Sequence, residues 1–240
     1  MPVRLILAYL SFLFSYSCSL KHPDVKESAL NQLYRAVYSE DAILVNVADS
    51  IYKGRSAIAN FRSHSKISET TLKIDTTIEA NERRGIYYQL GSIKTDQNEE
   101  YGIIRIMEKA DTTQEVVFEI LAVKDDVKDV QKQIDRAREQ WIKLCNAHDT
   151  SRLINDMYTL QTIYFNHKPL IIGREHLIPE YSYMNRENYT LLLNPIIVRT
   201  INSELVYELG QCSGSYNGKY IIVWRRDTDG LWWVLIDSNI

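Results

Sequence analysis

Cysteine, proline and glycine are scarce in this chain: 3, 5 and 9 among 240 residues. So few cysteines exclude a disulfide-stapled scaffold, and so little proline and glycine exclude collagen-like and low-complexity architectures. Neither sign of charge dominates. With 28 basic against 31 acidic residues the formal net charge is -3, and the Lys and Arg residues are dispersed. That pattern lacks the basic footprint a phosphate backbone requires, so nucleic acid is not an expected partner. Also missing are a dinucleotide fingerprint, a phosphate-cradling loop, a CxxC pair and any HExxH-like histidine spacing, so neither a cofactor nor a metal is expected.

Long apolar runs are confined to one place. Arg4 is followed by an apolar stretch from Leu5 to Phe14 and then by small residues around Cys18. The stretch is too short to span a bilayer and has the layout of a secretory signal. Ser15, Tyr16, Ser17 and Cys18 resemble the lipobox of bacterial lipoproteins, in which the cysteine carries the lipid. A usual lipobox has Leu where this chain has Ser15 and a small residue where it has Tyr16, so ordinary cleavage near Ser17 stays open. Either route places the protein in the bacterial cell envelope, lipid-anchored or released after cleavage, touching membrane only through an N-terminal lipid. Cys145 and Cys212 then remain, read as two buried small hydrophobes, although an oxidising compartment leaves their pairing open.

What the chain does contain is an internal repeat. Tyr88, Gln89, Leu90 and Gly91 are echoed by Tyr207, Glu208, Leu209 and Gly210, Tyr101 by Tyr220, and Gly54 by Gly173, each at an offset of 119 residues. Tyr38 and Tyr158 follow at 120. The division this predicts is a signal segment over 1–18, a first unit over 24–124 and a second over 125–240.

The second unit is the clearer. Val127, Val130, Ile134, Ala137, Trp141 and Leu144 recur at steps of three and four, the stripe of an amphipathic helix over 127–147. Asp149 or Thr150 caps a short helix through Tyr158. Residues 162–165 read as a strand and 173–183 as a third helix. Strands over 189–201, 204–215, 219–226 and 231–237 follow, with turns at Asn217 and Gly218 and at Asp229 and Gly230. Helices come first and an antiparallel meander after them, an α+β order.

Gly173, Arg174 and Glu175 open the third helix, a Trp-bearing strand runs from Tyr220 to Arg226, and Asp229, Gly230, Leu231 and Trp232 form the last hairpin. With this order, residues 125–240 resemble the nuclear transport factor 2-like superfamily, and within it the SnoaL-like and ketosteroid-isomerase-like branch. Residues 24–124 share the likeness only through the repeat. The resemblance implies two tandem cone-shaped units, each a curved antiparallel sheet with helices on its concave side. Counting back 119 from the long helix reaches the signal segment, so the first unit is expected to be reduced. The helix over 125–147 is then expected to touch both sheets. The family scaffold hosts isomerases, dehydratases, binding modules and inert domains alike, so fold does not decide function.

Pocket candidates come from strand alternation. Glu204 and Glu208 mark an outer face, which leaves Leu205, Tyr207, Leu209 and Gln211 inward. Tyr220, Ile222 and Trp224 share a face. In the last strand Trp233, Leu235 and Asp237 alternate with Trp232, Val234 and Ile236. The expected pocket therefore draws on Tyr158, Tyr207, Gln211, Tyr220, Trp224, Trp233 and Asp237, and its aromatic walls suit a small apolar ligand, unless they simply fill the core. An isomerase-like chemistry needs a carboxylate beside a hydrogen-bonding Tyr, for which Asp237, Tyr207 and Tyr158 are the right types, with Asp156 a further one. His148 with Asp149 is simpler as a turn and a cap, His167 and His176 sit in a turn and on a helix, and Gly210 to Gly214 around Cys212 lacks the helix a nucleophile elbow needs. Arg83, Arg84, Arg225 and Arg226 suit solvated strand edges.

Three functions stay open. The leading expectation is a non-catalytic envelope protein binding a small apolar ligand or a protein partner. An isomerase or dehydratase-like enzyme and a purely structural assembly domain are the alternatives. Outer sheet faces invite pairing, either in a homodimer or between the two units of one chain.

Overall fold

The structure is a computed structural model describing residues 37–48, 50–111, 113–166 and 169–239. The signal segment, Cys18 and His167 lie outside the described residues. The first unit runs β1 (Tyr38–Asn46), β2 (Ile51–Lys53), α1 (Arg55–His64), β3 (Lys73–Asn81), β4 (Ile86–Lys94), β5 (Glu100–Ala110) and β6 (Thr113–Val123). The second runs α2 (Gln131–Cys145), α3 (Thr150–Met157), β7 (Tyr158–Tyr164), β8 (Ile171–Ile172), α4 (Arg174–Glu180), a 3₁₀ turn (Ser182–Asn185), β9 (Leu191–Asn202), β10 (Leu205–Gly214), β11 (Lys219–Arg226) and β12 (Trp232–Ser238).

Each unit folds into a six-stranded sheet, and the two strand orders, β2-β1-β6-β5-β4-β3 and β8-β7-β12-β11-β10-β9, are the same topology. The fold is α+β in two tandem cone-shaped units. Neighbouring strands are antiparallel except that the first strand of each unit lies parallel to its last, β1 on β6 and β7 on β12. Those parallel pairs require the helix-containing crossover that precedes each meander.

The repeated glycines have physical reasons. Gly54 and Gly173 sit at φ 85° and 91°, each at the N-cap of α1 or α4, where an L side chain is strained. Gly91 and Gly210 face β-bulges: one residue, Asp75 or Ile196, is skipped opposite them in β3 or β9. The echo of Tyr101 in Tyr220, however, is two residues out of structural register. Gly91 stands opposite Ile103, whereas Gly210 stands opposite Tyr220. The β4–β5 hairpin is the longer by two residues, and the shared Tyr is a coincidence of spacing.

The sheets pack against each other on one face, and the helices cover the opposite faces. Ile104, Ile106, Phe118 and Ile120 of the first sheet meet Ile201, Tyr207, Leu209, Ile221 and Val223 of the second in one buried layer. Phe118 stacks on Phe165 at 4.4 Å between ring centres, Tyr207 Oη donates to the Gly102 carbonyl at 3.3 Å, and Arg199 pairs with Asp75 at 2.7 Å. Burying this apolar layer stabilises both units together.

This layering corrects two expectations. Tyr207, Leu205 and Leu209 point into the inter-sheet layer, not into a pocket, while Glu208, expected on the outer face, is fully buried under the helices. Both faces of β10 are covered, so polarity alternation carries no information about which side is out. The long helix does not bridge both sheets. Ile134, Trp141, Leu144 and Cys145 of α2 are buried in the second unit's helix-side core, because the first sheet lies beyond the second. The helix side of the first sheet carries a smaller core built from Tyr38, Leu44, Ile58, Ile93, Ile103 and Leu121. Among the described residues, α1 is the helix that packs there.

Candidate functional site: a buried carboxylate in each unit

Asp149 caps α3, its Oδ1 accepting from the Arg152 amide at 3.0 Å. The chain then passes from Met157 straight into β7 at Tyr158, so the phenol is thrown across the parallel β7–β12 pair towards Asp237. Tyr158 Oη donates to Asp237 Oδ2 at 2.7 Å, and Tyr181, one residue beyond α4, donates to the same oxygen at 2.6 Å. Trp141 Nε1 on α2 donates to Tyr158 Oη at 3.0 Å. Phenols from β7 and from the end of α4 thus converge on one carboxyl group of β12, which is 4% exposed, and α2 braces one of them through Trp141.

Burial raises the Asp237 pKa to about 6, the phenol hydrogen bonds offsetting part of that cost. The same burial, with the Asp237 charge added, pushes the Tyr158 and Tyr181 phenols well above their usual range. A carboxyl poised near 6 beside two neutral phenols is a proton donor-acceptor set in type. It is also closed: Tyr158 and Tyr181 are 0% and 1% exposed.

From this centre a chain of tyrosine rings leads outward. Tyr164 meets Tyr181 edge-on at 5.2 Å, Tyr181 meets Tyr183 at 6.1 Å, and Tyr183 meets Tyr189 at 5.4 Å. Tyr183 and Tyr189 line an open cleft of about 590 Å³ together with Tyr216, Arg186, Asn166, Asn188 and Asn239. Arg84 and Asn81 of the first unit complete the rim. Tyr164 Oη ties the wall together, donating to Asn239 Oδ1 and accepting from Asn166 Nδ2, each at 2.8 Å.

The second buried carboxylate of this unit is spoken for. Glu208 takes both forks of Arg138 at 2.7 and 3.1 Å, Tyr220 Oη at 2.7 Å and Trp224 Nε1 at 2.9 Å. Four charge-assisted or polar donors use its acceptor capacity, so the cluster fastens α2 to the sheet.

The first unit has its own carboxylate in the same place. Leu44 of β1 stands opposite Glu119, as Tyr164 of β7 stands opposite Asp237, and Tyr38 stands opposite Val116 as Tyr158 does opposite Val234. Tyr38 Oη donates to Glu119 at 2.8 Å, the counterpart of the Tyr158–Asp237 bond. Eight residues after its glycine cap, α1 supplies Arg62 where the second unit supplies Tyr181. Arg62 and Arg105 both pair with Glu119, the latter at 2.5 Å. Burial would raise the Glu119 pKa, but the two guanidinium groups outweigh it and hold the carboxyl below its usual value. The repeat therefore keeps a Tyr–carboxylate pair twice and treats it in two ways: two arginines hold Glu119 ionised in the first unit, whereas in the second Asp237 has only neutral phenol donors and burial raises its pKa.

Of the pocket candidates, the structure brings Tyr158 and Asp237 together, and Tyr220 and Trp224 together on Glu208. The other three belong to neither cluster. Tyr207 is in the inter-sheet layer. Gln211 bonds the Cys212 and Gly218 carbonyls at the end of β10, at 2.9 and 3.0 Å. Trp233 is half-buried, its indole donating to Asp227 at 2.8 Å. The expected alternation in β12 fails at a bulge: Trp232 and Val234 face the helices with Asp237, while Leu235 and Ile236 face the other sheet.

Asp156 is an exposed partner of Arg152, His148 sits at φ 58° in the α2–α3 turn, and His176 is exposed beside Glu175. Cys145 and Cys212 are free and buried, and burial pushes each thiol up to about 12. Among the described residues no group of three or more His, Cys, Asp or Glu side chains is placed to hold a metal, and no helix is long and apolar enough to cross a membrane.

The participants missed in the sequence are Tyr181, Glu119, Arg62, Arg105, Glu208 and Arg138. Two signals were available. The 119-residue offset maps Arg62 onto Tyr181, and Arg138 falls on the apolar stripe of α2 between Ile134 and Trp141, where a cation needs a buried partner.

The chain matches no protein-family model and no curated protein. It is similar in structure to nuclear transport factor 2-like and ketosteroid-isomerase-like proteins. An NTF2-like protein of unknown function from Shewanella oneidensis is 10% identical at a TM-score of 0.41, over 45% of this chain and 97% of that one. An NTF2-like protein of unknown function from Pseudomonas putida is 14% identical at 0.37, over 47% and 88%. A protein of Parabacteroides distasonis, provisionally described as a ketosteroid isomerase, is 16% identical at 0.37, over 48% and 92%.

Proposed function

We propose that this is a non-catalytic binding protein of the bacterial cell envelope whose second unit holds a small ligand in the tyrosine- and asparagine-lined cleft. The observation that carries this reading is the state of Asp237: it is buried, and both phenols that could serve a substrate already donate to it. With Asp237 4% exposed and both phenols buried, a reacting group reaches that carboxyl only if its surroundings move. The cleft outside is open, has the volume of an ordinary ligand site, and presents tyrosine edges beside amide and guanidinium donors. Its ligand is then a small ring-bearing molecule with several hydrogen-bond acceptors, such as a sugar, instead of a wholly apolar one. The first unit, with Glu119 locked by two arginines, serves as support. The envelope location rests on Arg4, the Leu5–Phe14 run and Cys18, and fatty-acid labelling that disappears in Cys18→Ala would bear on its lipid.

The raised Asp237 pKa favours a second reading, an isomerase or dehydratase-like enzyme in which ligand entry moves Tyr181 aside. Native mass spectrometry of the purified protein against the same sample denatured tests the first. A discrete small-molecule mass, lost in Arg186→Ala but kept in Asp237→Asn, is the expected result. Turnover of that molecule by the wild type and not by Asp237→Asn would replace binding with catalysis.

A further inference from the structure

At the other end of β12 from the cleft lies a groove of comparable size, about 600 Å³, that nothing in the cleft reading uses. Its walls are α2 on one side and the β11–β12 hairpin on the other. The floor is apolar: Trp233, Leu231, Met157 and Ala137 line it, so the 59% exposed Leu231 belongs to a shared apolar lining and is not isolated on the surface. Trp232 is pinned beneath, its indole donating to Gln133 Oε1 at 3.0 Å, so the aromatic wall is fixed before anything binds.

The charges at the rim are unequal. Arg136 and Arg226 both line the groove, and Arg136 has no ion-pair partner among the described residues. The one acidic group in the lining, Asp156, is already paired with Arg152 at 3.4 Å. Asp227 nearby accepts from the Trp233 indole and from the Leu231 and Asp229 amides and stays anionic, but it is not part of the lining, which carries Arg136 and Arg226 against Asp156. The groove therefore offers an apolar trough with net positive charge at its edge. Arg226 Nε donates to the Gly230 carbonyl at 3.3 Å, which leaves its terminal nitrogens and the whole Arg136 guanidinium for an anion. A neutral hydrocarbon would use neither, and a cation would be repelled.

We propose that this groove binds a long-chain carboxylate, its aliphatic tail laid along Leu231, Trp233, Met157 and Ala137 and its head on Arg136 and Arg226. The test uses the four tryptophans, of which Trp232 and Trp233 border the groove while Trp141 and Trp224 are buried in the core. Dodecanoate, added below its micelle concentration to the purified protein, should change tryptophan emission saturably with one site per chain. The double variant Arg136→Gln/Arg226→Gln should weaken binding by roughly tenfold or more, and Leu231→Glu should weaken it similarly, both with unchanged circular dichroism. Arg186→Gln, in the cleft at the far end of β12, should leave the dodecanoate response untouched, which separates this site from the one proposed above. A non-saturable response, equal affinity for dodecyltrimethylammonium, or a double variant that binds as well as the wild type would overturn the assignment.

Discussion

Asp237 and Glu119 hold equivalent places in the two sheets, yet they answer to pH in opposite senses. Asp237 titrates in the folded chain at about 6 against an ordinary 3.8, so the folded state keeps a proton that the unfolded chain gives up earlier. The stability this proton confers is complete below pH 3.8 and is lost as pH rises through 6, a change of about 3 kcal/mol. Glu119 works the other way: its folded pKa is depressed by Arg62 and Arg105, so its contribution is present above 4.5 and lost on acidification. We predict that Asp237→Asn removes the first slope and leaves the second. Urea midpoints measured from pH 4 to 7 should fall with rising pH in the wild type relative to the variant, and parallel curves would refute the buried titration. At this scale the sequence was half legible. Tyr158 and Asp237 are recognisable as chemical types, but Tyr181, one of sixteen tyrosines, is marked only by its repeat offset from Arg62, and that offset has no meaning until the fold shows both side chains on the buried carboxylates.

Helix α2 carries the clearest element-level consequence. Its apolar stripe was plain from spacing, and a charged residue, Arg138, stands on that stripe because Glu208 waits beneath it. Removing one member of a buried, hydrogen-bonded pair strands the other charge. Arg138→Met should therefore destabilise the protein by about 3–5 kcal/mol, and Arg138→Met/Glu208→Gln should recover a large part of that loss. Equilibrium urea unfolding of the wild type, the single and the double variant forms the cycle, and additive losses would show that the pair is not coupled. The strands were less readable than the helix for a related reason. Period-two alternation tells inside from outside only when one face meets water, and β10 meets the helices on one side and the other sheet on its second. In β12 a bulge shifts the period midway, so neither of its two alternating sets faces one way throughout.

For the whole molecule, the decisive feature is the layer between the sheets, to which each unit contributes one full face. A repeat detectable at a fixed offset announces two similar units, but it is silent on which faces meet, because a sheet with two apolar faces fits a homodimer, an internal pair or a ligand-filled cone equally well. With the layer in place, neither unit can expose its inner face without uncovering a large apolar area, so unfolding should be a single cooperative transition. The chain offers a direct check, since all four tryptophans, Trp141, Trp224, Trp232 and Trp233, belong to the second unit. Tryptophan emission therefore reports the second unit alone, whereas far-ultraviolet circular dichroism reports both sheets. The two urea curves should coincide. Ile104→Ala, in the first sheet but fully buried in the shared layer, sharpens the test: it should cost about 2–5 kcal/mol and lower the tryptophan-detected midpoint as much as the dichroism midpoint. If the tryptophan curve stayed in place while the dichroism curve split, the units would be independent and the layer a contact without thermodynamic weight.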